Sequence, residues 1–251
     1  MVLAVASVPY ACTRGGRGQE IRREAIPSTL PSSIPSTKAS GPAGILGVVR
    51  LIGAPPSAKP IVSAGPGCPK PLFDPWVRVG SSNGLRDVVV RIAPSSFDHP
   101  PPVVTGPTHA LVQEGCVISP HVLAIRAGDP VQFLNADPTL HNFHVFDGDE
   151  TELNFGQPSG APGVTRPISS EPHTFRVTCD VHPWTTAYVV ATDHPFFTVT
   201  DDDGHFAIAG VPARTYTLQA FHPALGDRST TVVVPAGGNV EVDFSYEPLT
   251  P

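Results

Sequence analysis

Thirty-one prolines and 23 glycines in 251 residues cut this chain into runs too short for ordinary helices, because proline removes a backbone donor and glycine raises the entropy lost on ordering. Between these breaks apolar residues alternate with polar ones instead of recurring every three or four positions. That period predicts an all-β protein of short strands. The predicted strands are Ile45–Leu51, Val88–Ile92, Val122–Ile125, Val131–Leu134, Phe143–Phe146, Thr174–Cys179, Ala187–Ala191, Phe197–Thr200, Phe206–Ile208, Thr215–Phe221, Thr230–Val234 and Val240–Phe244. Asn83-Gly84 and Asp203-Gly204 read as hairpin-type turns.

A hydrophobic share of 40% with 15% charged residues suffices for one large core or two modest ones. Residues 26–42 are the exception. Their Pro/Ser-rich run, Ser28-Thr29-Leu30-Pro31-Ser32-Ser33-Ile34-Pro35 onward, cannot bury enough to offset its ordering entropy and reads as a disordered tether. A net charge of −6 without a dense run of Lys or Arg argues against nucleic acid. It leaves a protein redox partner compatible.

No apolar stretch reaches the roughly 18 to 20 residues that cross a bilayer. Met1 to Ala11 is a short hydrophobic segment ending at Cys12, so residues 1–25 read as a truncated signal or lipoprotein segment. The basic start of such a signal is missing, and Pro9 and Tyr10 suit a lipoprotein cleavage box poorly. Lipid attachment at Cys12 and plain export both stay open; either places the protein in the periplasm or outside the cell.

The chemistry-bearing residues are Cys179-Asp180-Val181-His182-Pro183-Trp184 and, upstream, His141-Asn142. They supply one thiolate and two imidazoles at the tips of two predicted strands. Imidazole suits copper(II) and thiolate holds copper(I), so a His₂Cys set accommodates one copper ion in both states. In Thr174–Cys179 the strand period puts Phe175, Val177 and Cys179 on one face, which points the thiol into the core. His182 follows where the chain turns.

His144 is a rival ligand, but three residues from His141 on an extended strand it points to the other face. It reads instead as a core or hydrogen-bonded histidine near the site. Asn142 is expected to tie the two ligand segments together and keep His141 oriented. His121, His173, His194 and His222 read as surface or hydrogen-bonded residues.

Four cysteines are present. With Cys179 on a metal and Cys12 in a processed segment, Cys68 and Cys116 are left. They either pair across a loop of roughly fifty residues, worth about 3–4 kcal/mol in an oxidising compartment, or stay as two buried thiols.

Residues from about Val122 to Ala191 resemble a cupredoxin, most closely the amicyanin and plastocyanin branch. The resemblance rests on Gly128-Asp129, Asn135, His141-Asn142-Phe143-His144 and Cys179-Asp180-Val181-His182. It implies His141, Cys179 and His182 as the equatorial ligands of a type 1-like copper. The amicyanin ligand loop runs Cys-x-x-His-x-x-Met, whereas Thr185 stands at the last position here and Met1 is the sole methionine. The axial place is left to Thr185, a water or the Leu140 carbonyl.

A second resemblance lies in Thr200-Asp201-Asp202-Asp203-Gly204-His205-Phe206, Gly210-Val211-Pro212-Ala213 and Tyr216-Thr217-Leu218. These are similar to carboxypeptidase regulatory-like domains, which implies a small transthyretin-like or carbohydrate-binding-like β-sandwich. Ala213 and Arg214 stand where that family usually has glycine. Gly47-Val48-Val49-Arg50-Leu51-Ile52-Gly53 resembles its opening strand. The expected organisation is therefore a Greek-key cupredoxin sandwich at 63–193 inserted into a discontinuous domain made of 43–62 and 194–247, a pairing that resembles exported methylamine-utilisation-like proteins.

The leading functional reading is an exported one-electron carrier that is not an enzyme, since no paired His-x-His motif announces a second metal centre. The outer ring edge of His182 is expected to be exposed, with Pro183 and Trp184 in an apolar docking surface for a redox protein; packing between loop and sandwich is the other reading of Trp184. The alternative function is a binding or scaffold protein, for glycan or a protein partner, with a degenerate copper site.

Overall fold

A computed structural model describes residues 43–61, 67–69, 72–74, 76–97 and 106–248. The expected signal segment, the tether and Cys12 lie outside the described residues. Apart from two single 3-10 turns, Ser81–Asn83 and Pro94–Ser96, every regular element among the described residues is a strand. In chain order these are β1 (Gly44–Leu51), β2 (Lys59–Ile61), β3 (Leu72–Asp74), β4 (Val89–Ile92), β5 (His109–Glu114), β6 (Val117–Ser119), β7 (Val122–Arg126), β8 (Pro130–Asn135), β9 (His141–Asp147) and β10 (Glu150–Gln157). The chain continues through β11 (Val164–Pro167), β12 (Thr174–Thr178), β13 (Thr186–Thr192), β14 (Phe197–Val199), β15 (His205–Ala209), β16 (Thr215–His222), β17 (Gly226–Val233), β18 (Asn239–Glu241) and β19 (Phe244–Tyr246).

The fold is all-β, as the alternation predicts, and comprises two sandwiches. In the first, a sheet of order β10-β9-β12-β13-β7 faces one of order β11-β8-β5-β6. Parallel pairs, β13 with β7 and β5 with β8, make its connections cross between sheets. Inward residues of the two sheets, among them Leu111, Val131, Phe133, Phe143, Val145, Phe175, Val177 and Val189, form one core. Strand β12 carries the alternation plainly: Phe175 and Val177 are fully buried while Thr174 is exposed.

The second sandwich packs β15-β1-β18, with β19 also on β1, against β14-β4-β16-β17. Strand β1 pairs antiparallel with β15, from Gly44 opposite Ala209 to Val48 opposite His205, and parallel with β18 and β19. A strand from the start of the described chain thus sits at the centre of a sheet built otherwise from its end. Gly47 is required there, because a Cβ would run into the Val242 carbonyl.

Strand β4 falls within the stretch 63–193 that the sequence assigns to the first sandwich. Its hydrogen bonds run instead to β14 and β16 of the second. The reason is visible in its burial: Val88, Val90 and Ile92 face the second core, while Val89 turns to a small cluster with Val122, Ala124 and Val190 that joins the sandwiches. A strand covered on both faces reads as a nearly continuous apolar run, here Val88-Val89-Val90 and Ile92 with Arg91 between, so its pattern does not reveal which core it serves.

Candidate metal centre

One end of the first sandwich gathers the chemistry. His141 opens β9, Cys179 follows the last residue of β12, and β9 and β12 are hydrogen-bonded neighbours, with Thr178 opposite His144. The adjacency brings residues distant in sequence to one spot. His182 lies in the turn between β12 and β13, closed by the Thr185 amide donating to the His182 carbonyl at 3.1 Å.

Cys179 Sγ is 3.7 Å from His141 Nδ1 and 3.7 Å from His182 Nδ1, and the two Nδ1 atoms are 2.9 Å apart. All three side chains are buried, at 0% (His141), 1% (Cys179) and 4% (His182) exposure. Burial pushes the Cys179 thiol up, but hydrogen bonds from His141 and from the amides of Asn142, His182 and Val181 outweigh it and hold the pKa below the ordinary thiol value. Burial also works against charge on His141; its contacts with Cys179 and Asp137 prevail and raise it. His182 is lowered, by burial first and then by the charge of His141.

Asn142 spans the two candidate ligand segments: its Oδ1 accepts from the Asp180 amide at 2.6 Å, and its Nδ2 donates to Asp180 Oδ2 at 2.8 Å. His144 does not join the cluster. Its Nδ1 meets Asp180 Oδ1 at 2.9 Å, its Nε2 meets Thr151 Oγ1 at 2.8 Å, and its ring stacks on Phe146. Thr185 is buried, and its Oγ1 accepts from the Ile118 amide at 2.7 Å, which fixes the ligand turn to β6.

The expected exposed edge of His182 is not found. A disulfide between Cys68 and Cys116 places its sulfurs and a ring nitrogen of His182 within 4.8 Å of one another. Trp184 packs edge-on against the same ring with centroids 5.0 Å apart and donates from Nε1 to the Cys116 carbonyl at 3.1 Å. Trp184 therefore seals the site, while Pro183, Val181 and Leu140 are exposed beside it.

Two residues at the site carry no motif. Asp137, buried, meets His141 Nε2 through Oδ2 at 2.9 Å, and Gln113, fully buried on β5, donates to the Asn142 carbonyl at 2.8 Å. An acidic residue four positions before a ligand histidine is a usable sequence signal for the first; the second has none.

His194 and His222 are both fully buried in the second sandwich or at its border, apart from the cluster. His194 Nε2 donates to the Ile92 carbonyl and its Nδ1 accepts from the Phe196 amide. His222 Nδ1 accepts from the Ala224 amide, and its Nε2 has no partner among the described residues.

A family model of the carboxypeptidase regulatory-like domain matches residues 180–247. The match spans β14 to β19 and also β13, which hydrogen-bonds in the first sandwich; β1, which completes the second, lies outside it. No curated protein matches the sequence significantly. Similar solved structures include a purple cupredoxin from Nitrosopumilus maritimus, 20% identical with a TM-score of 0.29, covering 34% of this chain and 99% of that one. Amicyanin from Paracoccus versutus is 16% identical at 0.31, covering 36% and 85%. A copper-containing nitrite reductase from Thermus scotoductus SA-01 is 19% identical at 0.30, covering 38% and 25%.

Proposed function

We propose that this protein is an exported copper protein that carries single electrons, with one ion held by His141, Cys179 and His182. The observation that supports the reading is the convergence of one thiol and two Nδ1 atoms in a buried pocket, a donor set that fits copper in both oxidation states. Bound there, copper would supply a one-electron couple. The chain's own residues do the rest. Strand pairing of β9 with β12 and the Asn142 bridge hold the ligands rigid, which suits a group that must change charge without moving its ligands. The burial of all three side chains among the described residues favours a carrier over an enzyme, which needs an open metal position.

A transient redox protein is the proposed partner, docking on the exposed apolar residues Leu140, Val181 and Pro183 beside the ligands. The Cys68–Cys116 disulfide supports an oxidising compartment, the periplasm or the cell exterior, with Cys12 a candidate lipid anchor. A glycan-binding or scaffold role for the second sandwich is the competing proposal, favoured by its match to carboxypeptidase regulatory-like domains.

Titration of purified protein with copper(II) tests the reading. One ion per chain is expected, with an intense thiolate-to-copper band that vanishes in Cys179→Ser. No band and no stoichiometric copper would leave the scaffold reading in its place.

A further inference from the structure

We infer that Asp137 is a positioning residue: its carboxylate holds the His141 ring by Nε2 so that Nδ1 faces the ion, and it tunes the site from behind. This rests on the copper reading of the preceding section. The carboxylate is almost fully buried, and burying such a charge is costly unless it is paired and hydrogen-bonded. Among the described residues it has no Lys or Arg partner. Its acceptors are filled instead by two backbone amides and one imidazole. Oδ1 accepts from Gly115 N at 2.7 Å, while Oδ2 accepts from Cys116 N at 2.8 Å and from His141 Nε2–H at 2.9 Å.

The carboxylate is itself braced. Asn135 Oδ1 accepts from the Asp137 amide at 2.9 Å, and Asn135 Nδ2 donates to the carbonyls of Thr139 and Gln157, each at 2.8 Å. These bonds hold the loop from β8 to β9 with Asp137 facing His141. An imidazole whose Nε2–H is given to a carboxylate must present Nδ1 as the ligand atom, and it becomes a stronger donor. With no thioether at position 185, the negative charge behind His141 is the site's own means of favouring copper(II).

The test uses the full chain with Asp137→Asn, which keeps the shape, and Asp137→Ala. In the metal-free protein, NMR of the histidine ring protons should show a slowly exchanging Nε2–H on His141 that both variants lose. In the copper-loaded protein, copper(II) affinity should fall about 10–100-fold and the reduction potential should rise, with one ion per chain retained. An unchanged Nε2–H and potential in both Asp137 variants would overturn the inference. If the wild type takes up no copper, the reading of the site fails, while the ring-proton experiment still decides whether Asp137 fixes His141.

Discussion

Both sandwiches bury imidazoles, and they treat them differently. In the first, His141 and His182 turn their Nδ1 atoms toward each other and toward one sulfur. In the second, His222 lies beside the Tyr246 ring, one nitrogen capped by a backbone amide and the other without a hydrogen-bond partner among the described residues; His194, at the border between them, is satisfied by backbone on both sides. Burial by itself thus says little about metal binding. Convergence of unlike donors on one point separates a candidate ligand from a packing residue, and among these four histidines only His141 and His182 have it.

The sharpest way to break this contrast is to remove the sulfur. Cys179→Ser should lower copper(II) affinity by about 100-fold or more, beyond the range for residues that merely orient ligands, as read by competition with a chelator. His222→Phe should leave that affinity unchanged. An equal loss from both would erase the distinction.

The disulfide gives a second contrast. Changing Cys68 and Cys116 together to serine removes the closure of a loop with separation 48, which costs about 4 kcal/mol by chain entropy. Because those sulfurs cover His182, the change should also speed extraction of copper by a chelator. Slower or equal extraction would mean that Trp184 alone seals the ring.

A third substitution addresses the other region. Gly47→Val drives a side chain into the Val242 carbonyl and should cost at least about 3 kcal/mol. Thermal unfolding should show the loss, roughly 2–4 °C per kcal/mol. Near-wild-type stability would contradict the central place of β1.

The smallest effect concerns pH. Burial pushes His222 down to about 4, so between roughly pH 6.5 and 4 the unfolded chain binds a proton that the folded one refuses. Stability should therefore fall as pH falls through that window, by about 1 kcal/mol per unit from this residue. Urea unfolding of wild type and His222→Phe at several pH values checks it. The variant should show the shallower slope, and equal slopes would count against the assignment.

Much of this was legible in the sequence because strand alternation reports burial directly. Phe175, Val177 and Cys179 share a face by period alone, and the spacing from Cys179 to His182 places both at a strand end. Strand β10 was not legible, since most of its residues are exposed and polar and its alternation rests on Leu153 and Phe155 alone. Strand β4 was legible as a strand, Val88–Ile92, but the core it serves was not, because that core is formed by distant segments. The covering of His182 depends on the Cys68 segment reaching Cys116, and the seat of Asp137 depends on the turn at Gly115. Both are long-range contacts that no local pattern encodes.

The most direct test is X-ray absorption at the copper edge of the loaded, disulfide-intact protein. One sulfur and two imidazole nitrogens in the inner coordination shell are expected. A shell of nitrogen and oxygen alone, or one with more than a single sulfur at bonding distance, would contradict the assignment of Cys179, His141 and His182 as the ligands.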